Sequence, residues 1–357
     1  MNRLLHELLQ EGVKGQVFPG AAAAVACGSG PARQTAFAYA GVLNSRTCIP
    51  VTGGTLFDLA SLSKALSTSL ICFALFVEGK IHPDDHLADL LPDIPPDKAQ
   101  ISLRSLLSHS SGLAAYQPWF QQFAPTQQQE SKAALLRLIL DEPLAYEPGS
   151  RCLYSDLGFI LLGHLVEELT GQSLSECFRA RVTAPLGLEE ELFYHPTAAE
   201  RLRCAATEDC PWRGRVMQGE VHDEHCWLFG GAAGHAGLFG TAAGVLRLCG
   251  AILDGWKNKG AGGCAWAAFL PEALRPQLPD QTWRMGFDSP TPGTSSSGSW
   301  FSPSSVGHLG FTGTSFWIDP DAELIVVLLS NRVHPSRENT KIRQFRPFFH
   351  DALRSLF

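Results

Sequence analysis

Phe57-Asp58-Leu59-Ala60-Ser61-Leu62-Ser63-Lys64-Ala65-Leu66-Ser67-Thr68-Ser69-Leu70 decides how the chain is read. An extended apolar segment, Thr55–Leu59, delivers the chain to Ser61. A helix is predicted from Ser61 to Glu78, stopped by Gly79. Its interior (Leu66, Leu70, Ile71, Phe73, Ala74, Leu75, Val77) is apolar on most sides, the pattern of a buried central helix. Residues three apart share a helix face, so the Ser61 hydroxyl and the Lys64 amine can meet. A serine hydroxyl is a poor nucleophile at neutral pH. An amine in a partly dry pocket can lose enough pKa to activate it. Backbone N–H groups at the helix start can also face a developing oxyanion. Alone, Ser-x-x-Lys is a weak signal, and a helix cap beside an exposed lysine is its plainer reading. A buried helix weighs against that, because a lysine there needs a reason.

The 357 residues carry a net charge of -7 and 45% hydrophobic residues, enough for one large domain or two with a sizeable core. No long basic run is present, which argues against nucleic acid as a partner. The first residues read as an amphipathic helix without a continuous apolar core. No signal peptide or membrane span is expected, and a cytoplasmic location follows, or a periplasmic one if a leader is absent from this chain. The ten cysteines are scattered, with no Cys-x-x-Cys, and read as buried reduced thiols.

Strands are expected at Ala21–Cys27 and Gln34–Val42 after a first helix over residues 1–14. Residues 81–205 read as mainly helical, with helices at Ser102–Leu107, Glu130–Leu140, Ser155–Leu169 and Ser173–Val182. Residues 206–240 are rich in glycine and weak in periodicity, the pattern of ordered loops near a site. A helix follows at Ala242–Leu253. Residues 289–300 are low in complexity and read as a mobile loop. Strands return at Ser305–Phe311, Ser315–Ile318 and Leu324–Leu329, the last two joined through Asp319–Ala322 as a hairpin turn, before a closing amphipathic helix at Asn339–Phe357. The fold class expected is α+β, a mixed α/β arrangement. An antiparallel sheet built from both termini is flanked by helices. Residues 1–80 and 206–357 would form this discontinuous domain, residues 81–205 an inserted helical one, with the site in the cleft between them.

Two further stretches can complete a site around Ser61. Tyr154-Ser155-Asp156 opens a helix just after the Pro148-Gly149 turn. A phenol near an ammonium can relay protons; a packed tyrosine beside a helix cap is the plain alternative. Gly307-His308-Leu309-Gly310-Phe311-Thr312-Gly313 lies on an expected strand whose glycines invite close approach by a ligand. A bulged edge strand with a solvated histidine is the alternative there.

Ser61-x-x-Lys64, Tyr154-Ser-Asp156 and His308-Leu-Gly310 occur in the order used by the penicillin-binding protein and β-lactamase superfamily of serine hydrolases, which the chain resembles. The flanks resemble its class C and esterase branch: Leu106-Leu-Ser-His109-Ser-Ser-Gly112-Leu113, Glu147-Pro-Gly149 and Gly234-His235-Ala236-Gly237. The matches run through nearly the whole chain. The resemblance implies a β-lactamase/transpeptidase-like fold with no metal or organic cofactor. Ser61 would be the acylated nucleophile, Lys64 its base and Tyr154 a proton shuttle to the leaving group. His308 would stand beside the substrate, the N–H groups of Ser61 and Phe311 would form the oxyanion hole, and Asp156, Gly310 and His235 would line the cleft.

Two departures shape the expected activity. His308 stands where lysine is usual. Its ordinary pKa near ~6.5 leaves it mostly neutral at pH 7, a weaker anchor for a substrate carboxylate. Activity should then depend on pH near neutrality through His308. Asp156 stands where asparagine is frequent, and an ionised Asp156 would hold Lys64 in its charged form. Both point away from an efficient β-lactamase, toward an esterase or a cell-wall-type peptidase or amidase acting on small or peptidoglycan-derived substrates. The chain would be a monomer or small homo-oligomer. A non-catalytic substrate sensor on the same fold is one alternative. A zinc enzyme is another, since Cys204, Cys210, His222, Asp223, Glu224, His225 and Cys226 crowd residues 204–226, although their spacing matches no standard zinc motif. His109 is expected to be structural.

Overall fold

A computed structural model describes residues 1–127, 131–260 and 262–354. Its main sheet joins both ends of the chain. The strands are β1 (Gly20–Cys27), β2 (Gln34–Gly41), β8 (Val306–Leu309), β9 (Ser315–Asp319) and β10 (Leu324–Ser330), after the short β3–β7 described below. Their order is β2-β1-β10-β9-β8, antiparallel throughout. β1 pairs with β10 from Ala21 opposite Ser330 to Cys27 opposite Leu324.

Side chains alternate between the faces of a strand. Ala21, Ala23 and Val25 pack with Leu5, Leu9, Phe345 and Phe349, from the first helix (Asn2–Lys14) and the closing helix (Ile342–Leu353). Ala22, Ala24 and Ala26 face the larger core around Leu66, Leu70, Phe73 and Leu248. Both faces are covered, which is why β1 reads as an unbroken apolar run rather than an alternating one. Burying each large apolar side chain in these layers contributes about 1.5–3 kcal/mol.

A small second sheet aims the segment that carries Ser61. β3 (Phe57–Asp58) and β4 (Leu192–Phe193) pair on either side of β7 (Phe239–Gly240). The expected helical stretch 81–205 thus supplies one strand of this sheet. The expected loops at 206–240 contain a hairpin, β5 (Ala206–Cys210) and β6 (Arg215–Gln218), and a short helix, Glu224–Leu228. Their period was hidden because charged residues at Glu208, Asp209 and Arg215 break the apolar pattern.

The helix expected from Ser61 begins differently. Ser61 lies in a turn, Lys64–Ser69 is wound as a wide π-helix, and Leu70–Val77 is α-helical. Side chains of the wide turn bond outward: Tyr194 donates to Ser67 Oγ at 2.8 Å and Thr68 donates to the Gly234 carbonyl at 2.7 Å. The helices at Leu103–Leu107 and Asp156–Thr170 are capped by Ser102 and Ser155. The helix expected at Glu130–Leu140 covers Ser131–Asp141, with Glu130 outside the described residues, as are 355–357 at the end of the closing helix. Residues 289–300, expected to be a mobile loop, are tied to that helix: the Ser299 N–H donates to Asp351 at 2.6 Å and the Trp300 indole to the His350 carbonyl at 2.7 Å. All ten cysteines are free thiols, seven of them buried. Among the described residues no helix is long and apolar enough to cross a membrane.

Candidate active site

The turn before Ser61 is held in an unusual backbone shape. Ala60 has φ of +48°, a region that L residues with a side chain seldom adopt. Three contacts hold it there. The Ala60 N–H donates to Asp58 Oδ1 at 2.8 Å, Ser63 Oγ donates to the Ala60 carbonyl at 2.7 Å, and the Leu238 N–H donates to Ser63 Oγ at 3.1 Å. The result presents Ser61, half-buried, at the floor of a cavity of about 560 Å³.

Lys64 is wholly buried. Nζ donates to Ser61 Oγ at 3.2 Å and to the His235 carbonyl at 3.1 Å, and lies 2.6 Å from Asp156 Oδ1. Two hydrogen bonds and one close ion pair thus surround the ammonium. Burial pulls the Lys64 pKa down, but the Asp156 carboxylate and the Tyr154 phenol outweigh it, and the net direction is up. The Tyr154 hydroxyl faces both Lys64 and Ser61. Burial pushes its pKa up to about 12 against the opposing pull of Lys64. The Lys64 Nζ also sits 4.8 Å from the Tyr154 ring centre. Hydroxyl, amine and phenol therefore converge, with the amine charged at rest.

His235 reaches this group through its backbone. Its side chain, expected to line the cleft, is buried and paired with Asp223 at 2.7 Å. Its carbonyl is brought under Lys64 by close packing of two glycines. A Cβ on Gly163 would lie 2.6 Å from the Gly234 nitrogen, and one on Gly234 would lie 1.9 Å from the Phe159 carbonyl oxygen.

His308 lines the cavity, 6.0 Å ring to ring from Tyr154 and 5.6 Å from Trp283. Its Nδ1 meets the Leu309 carbonyl at 2.8 Å, so that nitrogen carries the proton. Burial, then the Lys64 charge, push its pKa down to about 3. The expectation that His308 confers pH dependence near neutrality is thereby corrected: a dry site beside a cation keeps the ring neutral. Its Nε2 has no partner among the described residues.

Gly310 and Phe311 follow on the loop between β8 and β9. Thr312 donates to the Asp58 carbonyl at 2.7 Å and Thr314 to the Leu59 carbonyl at 3.0 Å. These bonds fix the loop against the segment that enters Ser61. The Phe311 ring is half exposed, stacked on His222 at 5.6 Å and on the Arg332 guanidinium at 4.5 Å.

Arg332, Arg337, Arg343 and Arg346 also line the cavity. Sequence reasoning missed them: Arg343 and Arg346 fall inside the expected closing helix at Asn339–Phe357, and Arg332 and Arg337 lie before it in no recognisable motif. Arg337 is paired with Glu208 and Glu224. Arg332 donates to the carbonyls of Phe311, Arg337 and Asn339. Arg343 is exposed and has no ion-pair partner among the described residues.

The candidate zinc ligands of residues 204–226 do not form one set. Glu208, Cys210 and Glu224 bring ligand atoms within 4.8 Å of one another, but Arg337 occupies both carboxylates and His222 bonds Glu208 at 3.1 Å. His225 packs instead among the rings of Tyr116, Trp119 and Phe120. His109, expected to be structural, receives the Ser155 N–H on Nδ1 at 3.0 Å and the Leu153 N–H on its carbonyl at 2.8 Å. It grips the backbone on both sides of Tyr154.

Comparison with known proteins bears on the fold and the family. A protein of Escherichia coli (strain K12) provisionally named D-alanyl-D-alanine carboxypeptidase is 33% identical over 324 residues, covering 83% of this chain and 73% of that one. The solved structure of a class C beta-lactamase superposes with a TM-score of 0.78 at 17% identity, covering 100% of this chain and 96% of that one. That of a D-alanine carboxypeptidase AmpC from Burkholderia cenocepacia gives 0.71 at 18% identity, over 96% and 97%. These two likenesses establish the mixed α/β fold with its antiparallel sheet. The family model described as Beta-lactamase matches residues 5–346, and the chain belongs to the beta-lactamase family.

Proposed function

We propose that this protein is a serine hydrolase forming an acyl-enzyme on Ser61, and that it acts as a carboxypeptidase on short peptides ending in a D-amino acid. The observation that carries the reading is the meeting of Ser61 Oγ, Lys64 Nζ and the Tyr154 phenol at the floor of one cavity. Family membership and the carboxypeptidase name of the Escherichia coli relative support the hydrolase class. Arg343 supports the substrate class. Its guanidinium on the cavity wall supplies the cation that neutral His308 lacks, and it suits a terminal carboxylate.

In the reactive form Lys64 has lost its proton. Ser61 Oγ attacks the peptide carbonyl carbon, and its proton passes to Lys64 as the C–O bond forms. The N–H groups of Ser61 and Phe311 receive the oxyanion. Tyr154 then gives its proton to the leaving nitrogen and takes the one on Lys64, so the C–N bond breaks with a neutral amine departing. A water repeats the sequence on the ester, and its proton returns to Ser61. The closed Lys64–Asp156 pair slows every cycle, because it holds the base charged. That same pair favours a second reading, a sensor that acylates and deacylates slowly.

A hydrolysis panel tests the proposal: D-Ala-D-Ala peptides, short p-nitrophenyl esters, nitrocefin and muramoyl peptides, each with wild type and Ser61→Ala. Release of D-alanine by wild type and not by the variant is expected. Ester cleavage without D-alanine release would reject the carboxypeptidase reading. Equal activity of the two proteins would reject Ser61. A fluorophosphonate adduct that persists without turnover would favour the sensor.

A further inference from the structure

Arg346 is buried in the closing helix and has no carboxylate partner among the described residues. Its Nη2 donates to the Gly310 carbonyl at 2.9 Å and to the Thr314 carbonyl at 2.8 Å. The Gly310 carbonyl belongs to the same peptide group as the Phe311 N–H. In a trans peptide the two point in opposite directions. A cation on the carbonyl side therefore fixes the plane of that peptide and draws electron density away from its N–H. The next peptide is fixed likewise, since Arg332 Nε donates to the Phe311 carbonyl at 2.8 Å. Phe311 thus stands between two peptide planes, each gripped by a guanidinium.

The charge itself is the second observation. Burial and the neighbouring Arg332 push the Arg346 pKa down to about 9. A buried cation without a counter-ion costs stability. Nor do the two carbonyls depend on it: Gly310 O also accepts from the Gly313 N–H at 3.1 Å, and Thr314 O from the Gly310 N–H at 2.7 Å. The fold keeps a costly charge where hydrogen bonding alone does not demand one. Negative charge developing on the far side of the Gly310–Phe311 peptide would be stabilised by it, because hydrogen bonds in series polarise one another.

We infer that Arg346 is a positioning residue that orients and polarises the Phe311 N–H as an oxyanion donor, acting through the Gly310–Phe311 peptide without touching substrate. The inference rests on the reading of Ser61 as the acylated nucleophile. Its test acylates wild type, Arg346→Met and Arg346→Lys with a p-nitrophenyl ester carrying ¹³C at its carbonyl. The nitrophenolate burst gives the acylation rate, and infrared difference spectra give the stretch of the acyl carbonyl. Removing an oxyanion donor outright costs about 10²–10³ in rate, so weakening one should slow Arg346→Met about 10- to 100-fold with KM unchanged. Its acyl carbonyl should stretch at higher frequency, and Arg346→Lys should recover part of both effects. Equal rates and an identical stretch in wild type and Arg346→Met would overturn the proposal. A raised KM with an unmoved stretch would do the same, since it signals loss of a substrate contact. If the Met variant fails to fold, an unmoved stretch in Arg346→Lys decides against the proposal, and a raised one decides for it. Wild type with no acyl carbonyl band that Ser61→Ala abolishes would overturn the acyl-enzyme reading and this proposal with it. An intact band insensitive to Arg346 overturns the proposal alone.

Discussion

Replacing Asp156 with asparagine should make Lys64 a better base and shift activity toward acid pH. Lys64 Nζ and Asp156 Oδ1 are 2.6 Å apart, with the lysine side chain wholly buried and the aspartate 19% exposed. An opposite charge this close shifts its partner's pKa by about 1–3 units, or about 1.4–4 kcal/mol of preference for the charged form. In wild type the carboxylate raises the Lys64 pKa against burial. With Asp156→Asn, burial acts unopposed by that charge, and the pKa falls. The sign follows. The base works when deprotonated, so kcat/KM climbs with pH through the Lys64 pKa, and lowering that pKa moves the climb to lower pH. The assay is kcat/KM for a p-nitrophenyl ester from pH 5 to 10 in both proteins. The rising limb should move acid by about one to three pH units. Asparagine keeps an oxygen that can accept from Lys64, so the variant should fold, and a melting curve checks this. A limb that stays in place or moves alkaline would refute the account of Lys64 as the titrating base.

Tyr154→Phe should lower kcat by about 10²–10⁴ with little change in KM, since the phenyl ring keeps its packing and only the relayed proton is lost; steady-state kinetics on ester and peptide decide this. His308→Gln should leave the shape of the wild-type pH profile between 5 and 8 unchanged, because burial and the Lys64 charge push the His308 pKa well below that range, and an inflection near neutrality that the variant abolishes would contradict the buried neutral ring. Gly234→Ala should destabilise by about 1–3 kcal/mol or more, because its Cβ would sit 1.9 Å from the Phe159 carbonyl oxygen, and chemical denaturation measures the loss.

Much of the site was legible because its chemistry lies in short, ordered motifs. Ser61, Lys64, Tyr154 and His308 are each fixed by a local element, and those elements follow from apolar periodicity and glycine punctuation. The sheet joining both termini was also legible, since Ala21–Cys27 and Leu324–Leu329 are unbroken apolar runs. What stayed hidden depends on distance between segments. Nothing local marks the Asp223–His235 pair or the backbone role of His235. The ordinary pKa of His308 misled because burial, not residue type, sets its charge. Arg343 and Arg346 fell within an expected amphipathic helix, and Arg332 and Arg337 in no motif at all. Only folding turns Arg346 inward beneath Gly310.

The pairing of β1 with β10 also governs when activity can arise during synthesis. Ala21 must wait for Ser330 before that ladder can close, so the sheet has a high contact order and cannot assemble until nearly the whole chain has emerged. Ser61 and Lys64 are made early, while the loop bearing Phe311 is made late. A nascent or truncated chain ending before β8 would hold Ser61 and Lys64, the proposed nucleophile and base, without His308 or Phe311. Ribosome-bound intermediates should therefore stay unreactive toward acyl donors, and a reactive serine would arise only in finished molecules.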